Sequence, residues 1–112
     1  MNRRMAQVGR VAVVLAAVLF LFSATLRAQD DAPSLFKAKC AGCHGGDGSG
    51  NTSAGKSLKL RDLGSADVQK QTDAELTAII TNGKSPMPAY KGKVTDAQIQ
   101  ELVTYVRGLA KK

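Results

Sequence analysis

The feature that most restricts this chain is the segment CAGCHGGDGSG, residues 40–50. It holds both cysteines of the protein, Cys40 and Cys43, and its one histidine, His44, within five positions. Glycine dominates the neighbouring stretch, with six glycines from Gly42 to Gly55. Such a stretch reads as a loop over 42–55. Its backbone can take angles and approaches that a side chain would forbid. The regular structure must therefore come from the flanking segments, arranged around whatever the two thiols and the imidazole hold.

The amount of chain left to do this is small. Arg3, Arg4 and Arg10 form a positive leader, followed by the apolar run VAVVLAAVLFLF, Val11 to Phe22, and then small and polar residues. That order predicts a secretory signal peptide over residues 1–28, cleaved after Ala28. The apolar run has 12 residues, short of the roughly 20 that span a bilayer. The alternative is an uncleaved N-terminal segment anchoring the protein to the inner membrane. Arg3-Arg4 stands in NRRMAQV, a poor twin-arginine match, so the general secretory route into the periplasm is expected. Removing residues 1–28 takes four arginines with it and lowers the net charge from +7 to +3. That is too mild for a nucleic-acid binder. Phe36, Tyr90 and Tyr105, the three aromatics beyond the leader, make no stacking platform. The remaining domain, residues 29–112, is near the size below which a metal, a disulfide or a bound group must supply stability.

Two capping boxes organise the rest. TDAE at Thr72–Glu75 and TDAQ at Thr95–Gln98 each place a hydroxyl and a reciprocal side chain at a helix start. Leu76, Ile79 and Ile80 keep helical spacing after the first, and Gly83 and Pro86 end it. Ile99, Leu102, Val103, Val106 and Leu109 form an apolar stripe after the second. A short helix is expected over Ser34–Ala41 after a lead-in at Asp30–Pro33, and one or two helical turns over Ser65–Lys70. No segment reads as a strand. The expected fold is all-α, with three main helices and one or two short ones, the last stripe packing on Leu35 and Phe36.

CAGCH admits four chemistries. A Cys40–Cys43 disulfide would close a tiny loop and remove little entropy from the unfolded chain. A thioredoxin-like pair needs a βαβ setting, and no strands are available. A structural zinc site wants four ligands, and two thiols with one imidazole make three. Covalent haem attachment is what C-x-x-C-H signals. Two thiols one helical turn apart can each bond a vinyl group along one porphyrin edge, and the adjacent imidazole can reach the iron. A large flat apolar group would also fill the missing core, so the protein without it should fold poorly.

Haem iron can take a second protein ligand, and a thioether there raises the reduction potential. Beyond the leader the chain has one methionine, Met87, in KSPMPAYKG. Pro86 and Pro88 bracket it and stiffen the backbone. The alternative use of a methionine is gap-filling in a core, but no second histidine competes for the iron.

With CAGCH, the glycine loop and PMPAY in place, the sequence resembles a small bacterial class I cytochrome c across most of residues 32–110. Phe36, four positions before Cys40, stands where the family has a phenylalanine that packs on the C-terminal helix. Leu102 and Tyr105 match that helix's leucine and aromatic, and MPAY at 87–90 matches the family's methionine segment. The resemblance implies an all-α fold with crossed terminal helices. It implies one haem c attached through Cys40 and Cys43, with iron ligated by His44 and Met87. Many relatives place a proline beyond the glycine loop whose carbonyl accepts the histidine's second proton. This chain has none from His44 to Lys84, and Ser53 stands about there.

The implied function is transfer of single electrons between larger redox proteins of a respiratory or photosynthetic chain, or with a periplasmic dehydrogenase. The carrier is expected to be monomeric, to meet its partners transiently and not to be an enzyme. A haem enzyme or gas sensor with a displaceable Met87 is the alternative. Lys37, Lys39, Lys56, Lys84, Lys91 and Lys93 are candidates for framing an exposed haem edge and steering an acidic partner. Arg61 and Lys56 are candidates for pairing with haem propionates.

Overall fold

The computed structural model describes residues 31–111. The signal peptide read over residues 1–28 lies outside them. Six helices succeed one another: α1 Ala32–Lys39, α2 Ala41–His44, α3 Ser53–Ser57, α4 Ala66–Gln69, α5 Asp73–Asn82 and α6 Asp96–Gly108. Three are substantial, α1, α5 and α6, with 8, 10 and 13 residues. Between them stand three short ones, one more than the sequence suggested. Among the described residues there is no strand, only isolated bridges at Lys84–Met87 and Lys91–Val94.

Helix α1 begins two residues earlier than expected. Pro33 sits in its first turn, where the missing N–H costs nothing and the fixed φ suits a helix. Asp31 precedes it and accepts a 3.0 Å hydrogen bond from Ser34 Oγ. The helix ends at a kink, with Cys40 at φ −116° and ψ −36°, and the chain becomes helical again at Ala41. The loop expected over 42–55 is thus corrected: α2 reaches His44 and α3 begins at Ser53. Helices of four and five residues are too short to show an apolar period. Their visible signal is the cap: Thr52 Oγ1 accepts from Gly55 N at 2.8 Å and donates to Cys43 O at 2.7 Å.

Both capping boxes form. Thr72 N donates to Glu75 Oε2 at 2.7 Å and Glu75 N to Thr72 Oγ1 at 3.1 Å. Thr95 N donates to Gln98 Oε1 at 2.8 Å, and Gln98 N to Thr95 Oγ1 at 3.1 Å. Helix α5 stops at Gly83, with φ +75°, a left-handed angle that favours glycine. A Cβ at this position would stand 2.8 Å from both Ala89 N and Met87 O.

Helix α6 is the spine. Its expected stripe is in place: Ile99, Leu102, Val103 and Val106 are buried, and Leu109 at the C-cap is half-buried. Helix α1 packs on it, and the Phe36 ring lies 4.7 Å from that of Tyr105, inclined by 38°. Phe36 and Ile99 are the largest fully enclosed side chains; burying one such side chain stabilises by about 1.5–3 kcal/mol. Leu35 is only half-buried. Helix α5 also packs on α6, around a cluster of Val68, Leu76, Val103 and Val106 flanked by Leu63 and Ile80.

A polar clamp holds α4 and the α4–α5 turn on this spine. Arg107 Nε donates to Asp73 Oδ1 at 2.8 Å. The rest of its guanidinium donates to the carbonyls of Gln69, at 2.7 Å, and Gln71. Gln69 Nε2 donates to Leu63 O and Val106 O at 2.8 and 2.9 Å. Arginine's rigid fork makes several such bonds with little loss of freedom per bond.

Candidate haem cleft

The helices leave an apolar cleft of about 320 Å³. Phe36, Leu58, Leu60, Ile79, Ile80 and Leu102 are among the side chains lining it, with Cys40, His44 and Met87. A smaller lobe of about 100 Å³ shares much of this lining. Cys40, Cys43, His44 and Met87 all line that smaller lobe, so the four residues singled out in the sequence meet at one place.

Their supports differ. On one side, α2 sets the spacing of the thiols and the imidazole: His44 N donates to Cys40 O at 3.0 Å and Gly45 N to Ala41 O at 2.8 Å. The glycine loop then folds back on this helix, with Gly50 N donating to His44 O at 2.7 Å. Gly55 lies against the same turn, and a Cβ there would stand 2.0 Å from Gly50 O and 2.9 Å from Cys43 O. No other residue type fits this approach. On the other side, Met87 sits in a small turn in which Met87 N donates to Lys84 O at 2.8 Å and Lys84 N to Met87 O at 3.1 Å. The Ser85–Pro86 peptide there is cis. Tyr90 N donates to Ile80 O and Lys91 N to Thr81 O, both at 3.0 Å, which hangs the turn from the end of α5.

Both thiols are free; Cys40 is half-buried and Cys43 exposed. Burial pushes the Cys40 thiol pKa up. Burial also lowers the pKa of His44, favouring the neutral imidazole that a metal requires. His44 Nδ1 is buried without a hydrogen-bond partner, a condition that costs about 1–3 kcal/mol if nothing else satisfies the group. No carbonyl among the described residues takes the ring proton there, and Ser53, at the position considered for this, is instead the first residue of α3. Leu58, which lines both lobes, is 44 % exposed.

These observations fit a c-type haem. The walls are apolar, two thiols stand one turn apart, and the imidazole beside them, whose cation burial disfavours, lacks a partner at Nδ1. A thioether lies in the same lobe, and a large leucine is left uncovered at the cleft. Of the cations considered, Arg61 and Lys84 line the larger lobe and Lys39 the smaller. Lys56, Lys37, Lys91 and Lys93 line neither. Lys59 and Gln71, which the sequence did not single out, line the larger lobe. Nor did it single out the leucines at 58, 60 and 63, because they keep no regular spacing.

Comparison with known proteins agrees with this geometry. Residues 27–106 match the family described as cytochrome c oxidase, cbb3-type, subunit III. The chain is 41 % identical over 78 residues to cytochrome c6 of Leptolyngbya boryana, covering 70 % of this chain and 88 % of that one. It is 38 % identical over 99 residues to cytochrome c6 of Nostoc sp. (strain PCC 7120), covering 86 % of each. Among solved structures, the KustC0563 c-type cytochrome superimposes with a TM-score of 0.67 at 34 % identity, over 72 % of this chain and 99 % of that chain.

Proposed function

The chain belongs to the monohaem class I c-type cytochromes, the family of the cytochromes c6 and the subunit III domain of cbb3-type oxidases, and from that premise we propose that it is a periplasmic shuttle whose iron is held by His44 and Met87. It is an electron carrier, not an enzyme, and its covalent haem c is attached through its only cysteines, Cys40 and Cys43. The observation that carries the ligand assignment is the meeting of Cys40, Cys43, His44 and Met87 at one lobe of the cleft.

When bound, the haem supplies a one-electron ferric/ferrous couple. The chain's residues do the rest. Cys40 and Cys43, both free thiols, would hold the group by adding their S–H across its two vinyl groups, which needs no oxidant. Burial disfavours the cation of His44, which favours the neutral nitrogen an iron would need. Met87 presents its thioether from a turn stiffened by Pro86 and Pro88, and a soft sulfur ligand favours the ferrous state. Held by both His44 and Met87, the group would have no position left for a substrate, which suits a carrier. The mostly apolar lining would disfavour the charged state of the group.

Partners are other redox proteins met transiently. The positive charges at the cleft, Lys39, Lys59, Arg61 and Lys84, suit an acidic docking face and long-range steering. Residues 1–28 serve as the export signal and leave the domain free in the periplasm. Among the described residues no helix is long and apolar enough to cross a membrane.

The test is the visible spectrum of the haem-loaded protein beside its Met87→Ala variant. The parent should show a low-spin reduced spectrum and, oxidised, the weak far-red band of an iron–sulfur bond. The variant should lose that band, bind carbon monoxide and show a lower potential. A parent that is high-spin, or a variant with an unchanged spectrum, would reject Met87 as a ligand and turn attention to an open-iron sensor or enzyme.

A further inference from the structure

We propose that the Tyr90 hydroxyl is a latch that keeps Met87 at the cleft, a positioning role that rests on the axial assignment just given. The kink at Cys40 has a consequence for the carbonyl before it. In an unbroken helix Lys39 O would accept from Cys43 N; here Cys43 N turns to Cys40 O at 3.3 Å. Lys39, an exposed residue, is left with a carbonyl that has no helical partner. The Tyr90 hydroxyl donates to it at 2.9 Å.

That bond joins the two sides of the site. Tyr90 stands three residues beyond Met87 and, like Met87, lines both lobes of the cleft. Lys39 immediately precedes the first haem-attaching cysteine. Among the described residues it is the only hydrogen bond between the segment 84–94 and the segment 31–60. The other bonds of the methionine turn run within it or back to α5. Lys93 places its ammonium 5.7 Å from the centre of the Tyr90 ring, which favours the ring's placement from the solvent side. For the sulfur to leave the iron and the turn to swing out, the Tyr90–Lys39 bond must break. A phenylalanine in this position would keep the packing and lose the latch.

The experiment is an imidazole titration of the ferric, haem-loaded protein in four forms: parent, Tyr90→Phe, Met87→Ala and the double variant. Imidazole binds only when the sixth position is vacated, so its apparent affinity reports the open population. One side-chain hydrogen bond is worth about 1 kcal/mol, so Tyr90→Phe should raise the apparent affinity about 5-fold. In the Met87→Ala background the same change should have no effect, since nothing is left to latch. An unchanged affinity in Tyr90→Phe, or an equal rise in both backgrounds, would overturn the latch. In either of those cases loss of the far-red band in Met87→Ala would leave the axial assignment standing. A Met87→Ala protein that keeps the band and the parent's imidazole affinity would overturn both.

Discussion

The two sides of the cleft are built to different standards of rigidity. The side bearing Cys40, Cys43 and His44 is woven from backbone bonds: α2 fixes the three side chains, Gly50 N ties the loop to His44 O, Leu60 N reaches Gly55 O and Leu63 N reaches Gly48 O. Glycines let these stretches of chain touch. The side bearing Met87 hangs from the end of α5 by two backbone bonds and from Lys39 by one hydroxyl, and Ser85, Pro86, Pro88 and Ala89 are exposed. The difference teaches where this protein can yield. The two cysteines and the imidazole sit on a frame that cannot move without disrupting the loop. The methionine sulfur sits on a turn that can.

Three changes probe that contrast, in falling order of effect. Gly55→Ala strikes the fixed side, where backbone meets backbone and no flexible side chain can give way. Overpacking of this kind costs about 3 kcal/mol, and a thermal melt of the haem-loaded protein should show it. Gly46→Ala, with nothing within 4 Å of the added methyl, should stay within about 0.5 kcal/mol as a control. A Gly55→Ala protein as stable as the control would mean the loop is not the rigid half. Thr72→Ala and Thr95→Ala each remove the hydroxyl of a capping box from a helix flanking the methionine turn. Each should cost about 1 kcal/mol, read from denaturant midpoints, with the far-red band kept because neither residue lines the cleft.

The smallest effect is one of pH. Asp62 is held below the ordinary carboxyl pKa chiefly by its hydrogen bond with the Lys111 ammonium and then by the Gly64 N–H, and it anchors the end of the chain to the fixed side. A depressed pKa contributes stability that is present above the unfolded value, about 4, and is lost as pH falls through the lower folded value. Melting temperature should therefore decline on acidification below about pH 4, and less so in Asp62→Asn. Equal acid sensitivity in the two proteins would remove Asp62 from the account.

What could be read from the sequence tracked the range of the interactions. The boxes at Thr72 and Thr95 and the stripe from Ile99 to Val106 are local patterns, and each appears where the spacing placed it. The packing of Phe36 on α6 was legible from the apolar stripe and again from the family resemblance, and it is made with Tyr105 as the partner ring. CAGCH and Met87 stood out because their residue types are rare in so short a chain, and the structure brings the four side chains to one lobe. Helices α2 and α3 were not, since one turn of helix has no period, although Thr52 ahead of α3 is an N-cap residue type. The Tyr90–Lys39 bond and the Arg107 clamp were invisible because each joins residues far apart in the chain by a backbone carbonyl, an acceptor that every residue owns and no pattern marks.

The pairing of Phe36 with Tyr105 also sets a clock. The first helix of the domain has its main long-range support in the last, so it has little to lean on until that helix is in place. The hairpin of α5 and α6, with its own caps and its own apolar cluster, is local enough to assemble early. Closure of α1 over it is the late, long-range step. Until then Cys40 and Cys43 remain on an unpacked length of polypeptide, open to whatever machinery delivers the haem. The same topology that encloses the finished cofactor thus keeps a window open for loading it, and a chain truncated before Tyr105 would never shut that window.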